Sequence, residues 1–202
     1  MVRVLAMNAH DFLREFIVKT DEDRIIGGKR LFEIYKSSAE FTPVITSIIL
    51  DIIESAGYKS QKEYFRIDAV GWISHYMDMK SDAKSEKLKI NAHLWDLKIA
   101  VEHENSKVDW TDEVMKLIHI KCPLKVVIGY NYSDERNEIE RKRLSFVSKW
   151  MQKIDALQKG RDEEYLIILG NGCNHATGEA DYTSFDYKGY LYNWDNKEFE
   201  RI

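Results

Sequence analysis

Hydrophobic and polar positions follow two different periods along this chain, and the changes of period divide it into elements. Residues 9–19 (AHDFLREFIVK) repeat apolar positions at helical spacing, and the polar turn TDEDRIIGG follows. Leu31, Ile34 and Tyr35 begin a second helical pattern, which Thr42-Pro43 interrupts as an N-cap residue followed by a first-turn proline. The spacing predicts two helices there, 29–40 and 43–56, the second closed by Gly57. From Glu63 the period shortens to near two in EYFRIDAVGWISHYM, whose aromatic and β-branched residues predict a strand. The segment MKSDAKSEKLKINAH, with Lys80, Lys84, Lys87 and Lys89, reads as a solvated excursion leading to the next strand, LWDLKIAVEHE.

Beyond it, VDWTDEVMKLIHI is a short amphipathic helix with Asp109 or Thr111 as N-cap, and LKVVIGY is apolar enough for a buried strand. Residues 134–159 carry the longest helical pattern, with Leu144, Val147, Met151 and Ile154 on one face and Lys142, Lys149 and Lys153 on another. EEYLIILG predicts one more buried strand and GNGCNHATGEAD a loop. The tail TSFDYKGYLYNWDNKEFERI alternates aromatics around Lys188-Gly189 and Asp195-Asn196, as an antiparallel meander turning at both. The pattern predicts a single α/β domain over residues 1–202, a central mixed sheet flanked by helices, with N-terminal helices and a C-terminal antiparallel extension.

Composition narrows the function. With 202 residues, 44% of them apolar, the chain can bury a sizeable core. Thirty Lys+Arg against 34 Asp+Glu leave a formal charge of −4, so a polyanion would have to be held by a local basic face or by metal ions. Cys122 and Cys173 lack zinc-like spacing, as do His75, His93, His119 and His175, and a reduced, cytoplasmic protein is expected. No apolar run is long enough to span a membrane, and Asp11 and Arg14 interrupt what would be a secretory signal.

The end of LWDLKIAVEHE is where chemistry enters. Alternate side chains of a strand share a face, so Glu102 and Glu104 should project together while His103 packs on the other side. Two carboxylates at the end of an apolar strand repel each other and lose hydration unless a cation sits between them or the strand end is simply solvated. A hard ion such as Mg²⁺ suits the first case. Asp68, inside FRIDAVGW with Arg66 and Val70 on its face, reaches the same cation if the two strands pair. Asn105 reads as a turn residue, and Lys116 as a surface lysine paired with Asp112 or Glu113 at helical spacing.

This arrangement over residues 29–130 resembles the restriction-endonuclease-like PD-(D/E)xK phosphodiesterase superfamily, whose core is helix, three strands, helix, strand. In the resemblance Asp68 matches the motif aspartate, Glu102 the acidic second position, and Glu104 stands where most members have lysine and some have glutamate. The resemblance implies Mg²⁺ or Mn²⁺ held by Asp68, Glu102 and Glu104, a helix acid at Glu40 or its rival Glu33, and a displaced ammonium from Lys116. It also implies hydrolysis of DNA phosphodiester bonds and is compatible with a homodimer. A nuclease-like domain that has lost catalysis and serves as a binding or regulatory module is the alternative.

Overall fold

The computed structural model describes residues 6–21, 25–35, 37–75, 81, 84–87, 95–106, 109–133, 138–158, 161–174 and 186–202. In chain order they form α1 (Ala9–Lys19), a small ribbon of β1 (Ile25–Ile26) and β2 (Lys29–Arg30), α2 (Leu31–Ile34), α3 (Ser38–Ser55), β3 (Lys59–Tyr64), β4 (Ile67–Ser74) and β5 (Trp95–His103). These lead into α4 (Trp110–Ile118), β6 (Leu124–Ser133), α5 (Glu138–Met151), α6 (Asp155–Gln158), β7 (Glu164–Asn174), β8 (Asp186–Asn193) and β9 (Glu198–Arg201). Strands β3 to β9 make one seven-stranded sheet in sequence order. Its centre, β5-β6-β7, is parallel, and antiparallel pairs flank it on both sides. Parallel strands need crossovers, and α4 and then α5 with α6 supply them.

Both faces of the sheet are covered, so the middle of each central strand carries apolar residues on both faces. Ile99, Val101, Val126, Ile128 and Ile168 pack under α1 and α3 on one face. Ala100, Val127, Ile167 and Leu169 pack under α4 and α5 on the other. A mixed sheet between helical layers is the architecture that the hydrophobic pattern predicts.

Several elements differ from that pattern. The helix expected to break at Thr42-Pro43 is continuous from Ser38 to Ser55, with Pro43 inside it. A proline in the second turn forfeits one i→i−4 bond, to the Ala39 carbonyl, and burial of Phe41, Ile45, Ile49, Ile52 and Ile53 outweighs that loss. The preceding residues form only α2, where Glu33 accepts a hydrogen bond from the Arg30 N–H at 2.7 Å. The strand expected from Glu63 is a hairpin of β3 and β4, turning at Phe65-Arg66 between the paired residues Tyr64 and Ile67. Lys188-Gly189 lies inside β8 rather than at a turn, because the bare backbone at Gly189 passes against Leu13 of α1, where a Cβ would collide. The first residues of GNGCNHATGEAD extend β7 as far as Asn174, paired with β6. The long helical pattern is broken after Met151 by a turn before α6; residues 134–137, 159–160, Lys80 and Lys89 lie outside the described residues.

Candidate functional site

Ala69 of β4 stands opposite Val101 of β5, so Asp68 faces Glu102 one position further along. Two residues back on each strand, Val70 and Ala100 pack beneath α4 and α5, and alternation turns Asp68 and Glu102 toward that same layer. Glu102 is only 1% exposed. Asp68 accepts a hydrogen bond from the His103 backbone N–H at 2.8 Å, which fixes it at the junction of the two strands.

The third member comes from α4. The Lys116 ammonium lies 2.8 Å from Glu102 Oε1, pairs with Glu113 one turn back on its own helix, and donates to the Arg66 carbonyl at 3.1 Å. It therefore joins α4 to the acidic strand end and to the β3–β4 hairpin. The expected helical pairing with Glu113 and the reach to the strand end both occur, because α4 is phased with Glu113 and Lys116 toward the sheet. Trp110 sets that phase: its buried ring starts the helix, lies over Gly129 of β6, and its indole N–H reaches Asn131 Oδ1 at 3.3 Å.

Electrostatics follow from burial. Loss of hydration pushes the Glu102 carboxyl up to about 8; Lys116 pulls it partway down, and the nearby Asp68 and Glu113 carboxylates push it further up. Burial alone would lower the Lys116 ammonium, but its bonds to Glu102 and Glu113 outweigh that and hold it above its ordinary value. On the opposite face His103 hydrogen-bonds the Tyr130 hydroxyl at 2.9 Å and packs against Phe41, and burial depresses it to about 3, so it is a neutral packed histidine.

The other sequence candidates sit elsewhere. β5 ends at His103, and with it ends the shared face expected for Glu102 and Glu104. The Glu104 backbone N–H continues the ladder to Ile128 O at 2.9 Å, but its carboxylate accepts from the Ser106 N–H at 2.6 Å and closes the turn that leaves the strand. Asn105 ties this turn to Thr42 of α3. Glu40 is paired with Lys29 at 2.9 Å on the outer surface, in a helix that covers the face opposite Glu102. Of the cationic groups, Lys142 is paired with Glu138 at 2.6 Å, Lys149 is exposed, and Lys153 lies 4.1 Å above the Trp150 ring, all on or beside α5 in the same layer as α4.

Sequence reasoning treated Glu113 only as a partner for Lys116 and passed over a buried polar cluster beside α4. There Glu140 of α5 accepts from Tyr190 and, at 3.1 Å, from Asn131, while Arg143 donates to Asn131 at 2.9 Å. An asparagine ending the apolar run LKVVIGYN was the available signal.

Among the described residues, no three His, Cys, Asp or Glu side chains form a group that could hold a metal ion. Asp68 and Glu102 nonetheless offer hard oxygen donors, and a Mg²⁺-type ion needs only one or two carboxylates when water and phosphate oxygens complete its shell. A buried carboxylate that burial makes reluctant to ionise, as Glu102 is, is the donor that a bound cation would relieve. No protein-family model matches the chain, and none of the curated proteins compared with it matches significantly.

Proposed function

We propose that this protein is a divalent-metal-dependent nuclease acting on DNA phosphodiester bonds, with Asp68, Glu102 and Lys116 as its working side chains. The observation that carries this reading is the approach of the Lys116 ammonium, from the helix after β5, to the carboxylate at the end of that strand. The element order around it, helix α3, three strands, helix α4 and strand β6, supports a restriction-endonuclease-like core. Asp68 and Glu102 would hold Mg²⁺ or Mn²⁺, which supplies an activated water and offsets charge on the phosphoryl oxygens. Lys116 supplies a fixed cation beside Glu102 for a non-bridging phosphate oxygen. Glu113 keeps that ammonium charged and aimed at the strand end, while the Arg66 carbonyl sets its third direction.

The test is cleavage of plasmid and single-stranded DNA with Mg²⁺ and Mn²⁺. Wild type should cut, Glu102→Gln and Lys116→Met should lose at least 100-fold, on the order expected for removing one electrostatic group, and Glu104→Gln should lose less than either. Equal activity in Glu102→Gln would sink the reading. A second reading, a nuclease-like module without catalysis, is favoured by one observation: Lys116 already pairs with both Glu102 and Glu113. It predicts a folded wild type that binds DNA and cuts none under either metal.

A further inference from the structure

The β3–β4 hairpin turns on two residues, Phe65 and Arg66, with φ of 48° and 64°. Both are left-handed, a conformation that two-residue hairpins fill with Asn-Gly, Asp-Gly or Gly-Gly. Phe65 is also 81% exposed. The position thus accepts an unfavourable backbone and a largely exposed apolar ring.

What surrounds the ring is more telling. Phe65 meets Tyr64 edge-on at 4.7 Å, Tyr64 leans on Trp95 at 5.4 Å, and Trp95 stacks on Trp72 at 4.8 Å, so a row of rings leads from the core to the tip. Behind the tip, the Arg66 carbonyl is the group that Lys116 grips, one residue from Phe65 and one ion pair from Glu102. Exposed Arg66 and Lys62 place cationic side chains on the same hairpin.

We propose that Phe65 is a base-stacking platform: an unpaired nucleotide base lies on its ring while the adjoining phosphates follow Arg66 toward Lys116 and the acidic site. A single ring presents roughly 200 Å², far below the roughly 800 Å² that each side of a stable protein interface buries, whereas one base covers one ring. Cationic neighbours on the hairpin suit a phosphate backbone. This inference rests on reading the Asp68–Glu102–Lys116 site as a phosphodiester site, but stacking and cleavage are separable by experiment.

The probe is a fluorescein-labelled single-stranded 20-mer, followed by anisotropy in EDTA, with a second oligonucleotide carrying 2-aminopurine to report stacking. Phe65→Asn is the decisive variant, because asparagine suits the left-handed tip and should keep or raise the melting temperature. Phe65→Asn and Phe65→Ala are expected to weaken binding at least 5-fold and remove the 2-aminopurine quenching, while Phe65→Trp keeps both, in line with the usual contribution of one stacked base. Unchanged affinity and quenching in Phe65→Asn overturn the platform, and cleavage by wild type that is lost in Glu102→Gln would leave the nuclease reading standing. Phe65-dependent binding by a wild type that cuts nothing supports the platform and removes the hydrolysis. A wild type that binds no oligonucleotide overturns both.

Discussion

Glu102 and His103 are neighbours in sequence, point to opposite faces of the sheet, and have their protonation equilibria displaced in opposite ways. Burial raises Glu102 from 4.5 to about 8 in the folded chain, so the folded state holds a proton there that the unfolded chain releases between those values. That contribution to stability is present below pH 4.5 and is lost as pH rises toward 8. Burial lowers His103 from 6.5 to about 3, so the unfolded chain takes up a proton that the folded state refuses, and that contribution is lost as pH falls from 6.5 toward 3. Between 4.5 and 6.5 the two slopes cancel. Chemical denaturation across pH should therefore show a plateau in that window and a decline on both sides, the alkaline limb worth on the order of 2 kcal/mol. Glu102→Gln should remove the alkaline limb and leave the acid one; an unchanged alkaline limb would refute the assignment to Glu102. The pairing of Asp68 with Glu102 was legible in the sequence because strand alternation is strict. The fate of Glu104 was not, since alternation says nothing once the strand ends and a nearby N–H is available to accept from.

Helix α4 delivers Lys116 to the strand end only because Trp110 lies against a glycine. A Cβ at residue 129 would stand 2.6 Å from Trp110 Cβ. Gly129→Ala should destabilise the fold by about 1–3 kcal/mol through this overpacking, and it should also weaken any metal or DNA function more than a surface mutation of equal cost, because it turns Lys116 away from Glu102. Thermal melts alongside cleavage assays would check both halves. Pro43→Ala makes the opposite prediction: restoring one bond inside α3 should raise stability by about 1–3 kcal/mol, seen as a higher melting temperature. The periodicity placed α1 at about 9–19, where the structure has it with Asn8 as its cap. It split α3 wrongly because a proline's local preference is weaker than six buried side chains, and it missed the hairpin because Phe-Arg carries no turn signature.

Across the whole molecule, α4 and α5 share one layer above the sheet, and Lys142, Lys149 and Lys153 are cationic side chains on or beside α5 in that layer. Reversing Lys142, Lys149 and Lys153 to glutamate should weaken DNA binding and flatten its dependence on salt; unchanged binding at 50 mM and 200 mM salt would leave α5 as an ordinary solvated surface. The architecture itself was legible because buried apolar runs alternating with helical ones, flanked by alternating runs, admit few arrangements, whereas strand ends, turns and side-chain contacts depend on neighbours distant in sequence. One such distant contact has its own consequence. The first helix is held by the last strands: the Ala9 N–H bonds Glu164 Oε2 at 2.7 Å across 155 residues, and Phe16 packs edge-on against Tyr187 at 5.0 Å. During synthesis α1 emerges before β7 and β8, so its seat, shared between α3 and those strands, is completed only when they have been made. Closing so long a loop is slow, and a nascent chain halted before Tyr187 carries a partly uncovered apolar helix that invites association with other chains or with chaperones.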